Sequence, residues 1–316
     1  MKQLFLKKNP ELFQGQKYLE TNKSYFEGWY FKQTNAKVGI SFIPGIHINQ
    51  KEKKAFIQVI TNDASYFVDY PIEKFEFGSD PFYVKIDDNF FSQHSLHIDI
   101  RDEHQKLVIY GDIIYDHAVN ISTSFLRPNI MGPFSYIPFM ECNHAILCMK
   151  NRVNGVLEIN HKRIGFNQGV GYIEKDWGYS FPKSYIWCQG NHFSCSDASF
   201  MMSIADIPFL LFHFRGIICV LIVDDQEYRF TTYHGVQLKK YEVSEQGLDI
   251  ILKKGRYSME VKTDYQYSFE LMAPVKGEMV KNIFESISSS ITITLRKGKR
   301  IVFSDTSVNA GVEVVS

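Results

Sequence analysis

The sequence lacks an excess of charge of either sign. Its 316 residues include 35 basic and 35 acidic side chains, so the formal net charge is zero. Binding to nucleic acid or to an anionic membrane relies on an excess of positive charge, because lysine and arginine pair with the phosphates. The composition therefore argues against nucleic acid and other polyanions as partners.

Cysteine is scarce and irregularly placed. Five cysteines occur, and no two of them form a Cys-x-x-Cys pair. An odd number without such a pair argues against a disulfide framework and against a zinc ribbon. Cys188, His192 and Cys195 could form a ligand set, but in a strand Cys195 points away from the other two. We therefore predict no metal site, and a reducing, cytoplasmic location.

Long apolar runs and the common catalytic motifs are also missing. The longest strongly apolar run, Ile217 to Val223, is about a third of the roughly 20 residues that a membrane-spanning helix needs, so it predicts a buried strand. The first fifteen residues contain no apolar segment of the kind found in secretion signals. Without a phosphate-binding loop, a nucleophile elbow or a His-Glu-x-x-His motif, the sequence does not support a nucleotide-binding, serine-hydrolase or zincin function.

Aromatic and β-branched residues, by contrast, are abundant. Hydrophobic residues make up 45% of the chain and aromatic residues 15%, enough for a large core. They form short runs separated by polar turns such as Asp87-Asp88-Asn89, Asn154-Gly155 and Lys297-Gly298-Lys299, which is typical of antiparallel sandwiches and barrels. We predict an all-β protein with two β domains, residues 1–183 and 184–316.

Two segments depart from this strand pattern. Glu278 to Ile287 spaces its apolar residues as an amphipathic helix does, so we predict one short helix in the C-terminal half. Leu126 to Glu141 contains three prolines and a glycine, which predicts a long loop across the mouth of a barrel. Such loops are often functional, although a simple connection between strands explains the composition equally well.

All three tryptophans lie in two short segments that also contain carboxylates. In the first segment, taken as a strand, Tyr25, Glu27 and Trp29 share one face. A carboxylate among aromatic rings is poorly solvated when charged, so its pKa rises and it can donate a proton near neutral pH. Glu27 is therefore a candidate general acid. The alternative is a structural role, in which Glu27 pairs with an arginine or caps a backbone amide.

The second segment, Gly171 to Phe193, contributes two further groups. Glu174 and Asp176 fall on one face of a strand, and Trp177 on the other. Two neighbouring carboxylates raise each other's pKa, so one can stay protonated unless Lys175 or another cation neutralises them. In a later run, taken as a strand, one face is an aromatic stripe that carries two amides, which suits an apolar pocket but also an ordinary core strand. Its members are Tyr185, Trp187, Gln189, Asn191 and Phe193.

Several of these segments resemble the tocopherol cyclase family. They are YFEGWYFK from Tyr25, PFMECNHAI from Pro138, EKDWGYSFP from Glu174 and YIWCQGNHF from Tyr185, while NAGVEV from Asn309 resembles the end of the family sequence. The matching segments keep the same order over nearly the whole chain. The resemblance implies a two-domain, lipocalin-like β fold related to that of carotenoid hydratases, acting on prenylated lipids without a cofactor.

The resemblance also implies a reaction. In the cyclases an alkene of a prenylated hydroquinol is protonated, and the phenolic oxygen closes on the resulting tertiary cation to form a chromanol ring. This requires a proton donor, a base and aromatic faces that stabilise a cation. We assign the acid and base roles to Glu27, Glu174 and Asp176, with Glu141 and His144 as secondary candidates. The residues expected to bind the substrate are Tyr25, Trp29, Trp177, Tyr185, Trp187, Gln189 and Asn191.

Other hypotheses stay open beside cyclisation. An enzyme of this kind could hydrate an isoprenoid alkene, a carrier would bind a lipid without turnover, and a purely structural β protein would lack a cavity near the tryptophans. In the enzymatic and carrier hypotheses the partner is an apolar small molecule, of the prenyl-lipid class, reached through transient contact with a membrane surface.

Overall fold

The computed structural model describes residues 5–6, 8–21, 23–138, 140–209, 212–264 and 268–316, with only the backbone of residues 209 and 212. Almost all of the regular structure is β-strand, which confirms the predicted all-β class. A four-residue α-helix, α1, spans Gln16–Leu19. No helix in the described part of the chain is long and apolar enough to cross a membrane.

The strands form two antiparallel series. The first comprises β1 Tyr25–Thr34, β2 Gly39–Ile48, β3 Lys53–Thr61, β4 Ser65–Pro71, β5 Phe75–Ser79, β6 Phe82–Ile86, β7 Asn89–Ser92, β8 Ser95–Asp102, β9 Leu107–Val119, β10 Cys142–Ile159, β11 Lys162–Gly165 and β12 Gly169–Gly178. The second comprises β13 Tyr185–Gly190, β14 Ala198–Phe209, β15 Phe212–Val223, β16 Gln226–Arg229, β17 Gln237–Ser244, β18 Gly247–Lys254, β19 Tyr257–Asp264, β20 Phe269–Val275, β21 Glu278–Lys297 and β22 Arg300–Val315. Short 3₁₀ helices span Ile72–Lys74, Gly132–Tyr136 and Thr232–His234.

The first sheet curls around an aromatic interior. Its strand order is β4-β3-β2-β1-β12-β10-β9-β8-β7-β6-β5, and β11 pairs with β10. The ring of Trp29 on β1 lies 6.5 Å from that of Phe75 on β5 and 6.2 Å from that of Phe82 on β6, measured between ring centroids. Since β5 and β6 stand at the far end of the strand order, these contacts require the sheet to fold back on itself.

The second sheet has its own hydrophobic core. Its strand order is β16-β15-β14-β13-β22-β21-β19-β18-β17, and β20 pairs with β21. The buried cluster includes Ile186, Cys188, Phe200, Met202, Leu221, Ile250, Val261 and Ile293. Two antiparallel sheets, each with its own interior, confirm the predicted pair of β structures.

The chain folds into two compact units. The first contains Met1–Asn35, Ile40–Phe181 and Leu271–Asn282, and the second contains Ala36–Gly39, Pro182–Glu270 and Ile283–Ser316. The short segment Leu271–Asn282 includes the turn between β20 and β21. In the first unit Gln58 binds this segment through two hydrogen bonds to the backbone of Met272.

The helix predicted at Glu278 to Ile287 is wrong. This stretch begins β21, which pairs with β19, β20 and β22. Ile283 and Glu285 are buried, whereas the intervening Phe284 is 54% exposed. A buried glutamate interrupts the apolar alternation that would have indicated a strand, and cross-strand pairing outweighs the local helical spacing.

The turn predicted at Asn154-Gly155 is also wrong. Both residues lie inside β10, and the chain reverses instead at Asn160-His161, where both residues have positive φ. Gly155 has φ +144°, and a Cβ there would lie 2.1 Å from the carbonyl oxygen of Asp112. Glycine thus lets two strands approach closely rather than forming a hairpin tip. The turns at Asp87 and Gly298 are confirmed.

Candidate functional site

Three neighbouring strands of the first unit, β1, β12 and β10, hold most of the predicted site residues. Trp29 lies opposite Lys175, Tyr30 lies opposite Glu174, and His144 lies opposite Asp176. Because successive side chains of a strand point to opposite faces, the candidates separate into two groups. The tryptophan face carries Tyr25, Glu27, Trp29, Lys175 and Trp177. The histidine face carries Tyr30, His144, Tyr172, Glu174 and Asp176.

On the tryptophan face, Glu27 forms a fully buried ion pair with Lys175. The Nζ atom of Lys175 lies 2.5 Å from Oε1 of Glu27, and both side chains have no exposed surface. The hydroxyl of Tyr25 donates to Oε2 at 2.6 Å, and the backbone N–H of Gln14 lies 2.8 and 3.1 Å from the two oxygens. In each of these contacts the partner donates a hydrogen bond to Glu27, so together they satisfy the hydrogen-bonding capacity of its carboxylate.

Lys175 fastens the N-terminal strap, residues 8–20, over this pair. Its ammonium group donates to the carbonyl oxygens of Pro10 at 2.8 Å and Leu12 at 2.6 Å. It also lies 4.6 Å from the ring centroid of Trp29 and 4.9 Å from that of Trp177. Burial lowers the pKa of Lys175, and the charge of Glu27 opposes that change. With Glu27 and the two carbonyls, all three N–H donors of the ammonium are used.

These contacts do not support the predicted role of Glu27 as a proton donor. The prediction treated burial among aromatic rings as the dominant influence and left out a buried cation. The structural alternative, an ion pair, describes the surroundings of Glu27, with lysine in place of arginine. The sequence suggests Lys175 only as a partner for Glu174 and Asp176. Its odd position in the strand, shared with Trp177, is the signal that places it on the other face.

On the histidine face, His144 lies between two carboxylates. Its Nδ1 is 3.0 Å from Oδ1 of Asp176, and its Nε2 is 3.5 Å from Oε2 of Glu174. The hydroxyl of Tyr172 donates to the same Glu174 oxygen at 2.5 Å. The side chains of Glu174 and His144 are 6% and 13% exposed, but that of Asp176 is 24% exposed. Asp176 is thus the most accessible member of the trio His144, Glu174 and Asp176.

The carboxylates keep His144 protonated. Burial alone would lower its pKa, but the negative charges of Asp176 and Glu174, with the hydrogen bond to Asp176, raise it to about 9. The same charges act on a second neighbour, because burial and Glu174 raise the pKa of Tyr172 well above its ordinary value. At neutral pH the trio therefore holds an imidazolium, which is a mobile proton next to a partly exposed carboxylate.

The trio also has the composition of a metal site. In the described part of the chain, these three residues form a cluster in which one possible metal-ligand atom from each lies within 4.8 Å of the others. Imidazole and carboxylate are ordinary ligands of divalent transition metals, but such a ligand histidine must be neutral. The prediction of no metal site rests on the cysteine pattern and does not consider this trio, whose members come from two strands that are separate in the sequence.

Glu141, a secondary candidate, lies apart from the trio. Its Oε1 accepts a hydrogen bond from the hydroxyl of Tyr179 at 2.6 Å, in an exposed setting. Its backbone oxygen accepts from the N–H groups of Tyr179 and Ser180. These bonds indicate that Glu141 closes the turn after β12. The other secondary candidate, His144, stands at the centre of the histidine face.

The family assignment rests on a sequence match to this part of the chain and beyond. The model of the tocopherol cyclase-like family matches residues 112–316, which is well over half of the sequence. The chain belongs to the tocopherol cyclase-like family. The matched range includes β10 and β12, and hence His144, Glu174 and Asp176, whereas Glu27 on β1 lies outside it.

Solved structures resemble this tocopherol cyclase-like protein in fold at low sequence identity. CghA, crystallised with Sch210972, has a TM-score of 0.60 at 8% identity, covering 93% of this chain and 89% of CghA. An AttH-like protein from Nitrosomonas europaea has a TM-score of 0.54 at 12% identity, with coverages of 92% and 93%. Kievitone hydratase from Nectria haematococca has a TM-score of 0.52 at 14% identity, with coverages of 96% and 93%. Comparison with curated proteins gave no match.

The remaining predicted binding residues of this tocopherol cyclase-like protein belong to the second unit. Tyr185, Trp187 and Gln189 alternate along β13, but the second core takes the opposite face of that strand, with Ile186 and Cys188. The three side chains and Asn191 are nevertheless buried. The stripe predicted from the sequence is therefore present, and it is not the hydrophobic core of its own unit.

Sequence reasoning missed two buried glutamates beside this stripe. Glu313 on β22 lies opposite both Trp187 on β13 and Glu285 on β21, and it accepts a hydrogen bond from the hydroxyl of Tyr185. Glu285 and Glu313 are 2% and 7% exposed. Glu313 lies between two valines in the NAGVEV segment, and strand alternation alone favours a solvent-facing glutamate there, so its burial could not be predicted from the sequence.

Proposed function

We propose that this tocopherol cyclase-like protein is an enzyme that cyclises a prenylated hydroquinol or a related prenyl lipid by acid catalysis on its histidine face. The observation that carries the proposal is the position of His144 between Glu174 and the partly exposed Asp176, whose negative charges raise the pKa of His144 to about 9. Family membership supports a reaction of this type. The geometry supplies a proton donor and an acceptor in one group.

Asp176 is the residue placed to transfer the proton to the substrate. It is the most exposed member of the trio and is hydrogen-bonded to His144 at 3.0 Å. The imidazolium of His144 gives its proton through Asp176 to the alkene, which leaves a neutral imidazole beside the two carboxylates. Glu174 holds the imidazolium from its other side, and Tyr172 fixes Glu174 through a short hydrogen bond. Glu174 and Tyr172 act as positioning residues.

The reaction balances without an added reagent. The alkene takes the proton of the His144 imidazolium through Asp176 and becomes a tertiary cation, which the phenolic oxygen of the same molecule attacks to close the ring. The phenolic proton then returns through Asp176 to the neutral imidazole of His144. The rings of Tyr30 and Tyr172, whose centroids lie 6.5 Å apart, present π faces on the same side of the sheet, and such faces favour a cation. If water attacks the cation instead of the phenol, the same trio performs a hydration.

The test is to incubate the protein with a set of prenylated hydroquinones under reducing conditions and to analyse the products by liquid chromatography and mass spectrometry. Cyclisation gives a product of unchanged mass and new retention time, and hydration gives a product heavier by one water molecule. Neither product should form with His144→Gln. The matched control is His97→Gln, because His97 pairs with Asp112 at the exposed surface.

Three results would count against the proposal. If folded protein converts none of the hydroquinones, the cyclase and hydratase hypotheses fail together. If it binds them tightly without converting them, and binding survives Glu174→Gln and Glu27→Gln, the carrier hypothesis is the correct one. An activity that appears only after addition of a divalent metal would assign the trio a metal-binding role instead of proton transfer.

A further inference from the structure

A large cavity opens at one end of the first unit, on the side of the tryptophan face. Its volume is about 1000 Å³, within the range of pockets that bind small molecules. The proline-rich segment predicted to cross a barrel mouth supplies part of the wall, through Asn129, Ser135, Ile137, Pro138 and Met140. The sheet residues in the wall include Tyr25, Asn143 and Trp177. Trp177 thereby joins the cavity to the buried ion pair.

The opposite wall is the N-terminal strap, which is held firmly. Besides the bonds from Lys175 and to Glu27, the indole N–H of Trp29 donates to the carbonyl oxygen of Glu11 at 2.9 Å. The ring of Phe13 lies 4.5 Å from that of Phe77, between centroids, so the strap also packs into the aromatic interior. A cavity with a fixed wall is preorganised, which reduces the entropic cost of ligand binding.

The charged residues of the cavity wall are exposed, whereas its buried residues are uncharged. Phe13 and Tyr25 are buried, and Ile137 and Trp177 add apolar surface. The hydroxyl of buried Ser135 donates to buried Asn129 at 2.7 Å. The charged side chains in the wall, Lys17, Glu20 and Lys23, are exposed. The Glu27 and Lys175 charges beneath it compensate each other. Such a cavity favours a ligand with an uncharged apolar body inside and one polar end at the rim.

We propose that this cavity is a second binding site, separate from the histidine face, for an uncharged small molecule with an apolar chain and one polar end group. The sheet formed by β1, β12 and β10 lies between the two sites, since their residues alternate along the same strands. The second site thus goes beyond the proposed catalytic reaction. It stores or presents a chain-bearing ligand without touching the trio.

The site can be located directly with a diazirine-bearing analogue of farnesol as a photoaffinity probe. After irradiation, peptide mass spectrometry should find the label within residues 13–25 or 135–143, and unlabelled farnesol should prevent the labelling. Labelling confined to other segments, or labelling that farnesol does not prevent, would overturn the proposal.

Binding can be measured independently by titrating farnesol in a calorimeter. Ile137→Trp and Met140→Trp each fill the cavity and should weaken binding about tenfold or more. Ile301→Trp, at a position 51% exposed in the second unit, is the matched control and should bind as the wild type does. Unchanged binding in both cavity variants, with unchanged thermal unfolding, would show that the cavity holds no ligand. Neither measurement depends on turnover. Both therefore remain valid tests of this binding site even if the protein catalyses no cyclisation.

Discussion

The two faces of the sheet formed by β1, β12 and β10 are built from adjacent residues, yet the balance of positive and negative charge differs between them. On the tryptophan face one cation meets one carboxylate, and all three ammonium donors of Lys175 are used. On the histidine face one imidazolium meets two carboxylates, and Asp176 is partly exposed. A fully buried ion pair whose charges cancel has a structural role. A partly exposed group with more carboxylates than cations can exchange protons. The balance of charge and the exposure of the carboxylate therefore distinguish candidate catalytic residues from structural ones better than burial does.

The largest expected effect is on turnover. Asp176→Asn keeps the shape of the side chain but removes the carboxylate that passes the proton from His144 to the substrate, so kcat should fall about 100-fold or more. Because Asp176 also helps to keep His144 protonated, the free energy of unfolding should fall as well, and kcat is therefore measured on protein shown to be folded. Steady-state kinetics with a converted hydroquinone measures the loss, and Asp112→Asn at the surface is the control. Full activity in Asp176→Asn would remove Asp176 from the mechanism.

The next effect is on stability and belongs to the tryptophan face. Lys175→Met leaves the Glu27 carboxylate buried without its cation, so the free energy of unfolding should fall by about 3–5 kcal/mol. Adding Glu27→Leu removes the stranded charge and should restore much of the loss. Urea unfolding of both variants measures the difference. If the double variant is no more stable than Lys175→Met, the ion pair is not what limits stability on this face.

A smaller effect follows from the titration of His144. Its folded pKa of about 9 lies above the ordinary value of about 6.5. Its contribution to stability is therefore complete below about pH 6.5 and is lost as the pH rises through 9. The difference in unfolding free energy between wild type and His144→Gln should shrink by roughly 3 kcal/mol across that window. Urea unfolding at several pH values measures it. A difference independent of pH would mean that His144 is not charged.

The smallest effect is expected for an exposed pair, which sets the scale for the two buried faces. Lys54 lies 3.2 Å from Asp69 and 3.3 Å from Glu52 at the surface of the first unit. Solvent and salt screen such pairs, so Lys54→Ala should cost about 1 kcal/mol or less. Thermal unfolding at low and high salt measures this. A loss as large as that of Lys175→Met would erase the distinction between exposed and buried ion pairs drawn above.

Strand parity is the part of the site that could be predicted from the sequence. Alternation places Glu27 with Trp29, and Glu174 with Asp176 but away from Trp177, and the registers confirm each assignment. This succeeds because the period of two is a property of the extended backbone itself. The all-β class follows for the same reason, from many short runs of aromatic and β-branched residues.

Partners across strands could not be predicted, because they depend on which strands become neighbours. Glu27 meets Lys175 only because β1 pairs with β12, far away in the sequence. His144 meets Asp176 only because β10 lies on the other side of β12. The segment around Glu285 does not show the alternation of a strand in its sequence, because a charged residue that is in fact buried is read as solvent-facing. Each of these cases concerns a charged residue whose partner or surroundings depend on strands that are distant in the sequence.

The alternation of Glu174, Lys175 and Asp176 in β12 limits which insertions and deletions the sequence can accept during evolution. Loss or gain of a single residue just before them would turn the lysine to the histidine face and a carboxylate toward Glu27. Both sites would then fail at once, one from like charges buried together and the other from a cation beside His144. Substitutions in β12 can affect either face separately, but insertions and deletions cannot, so its length should be far less variable than that of the loops around it.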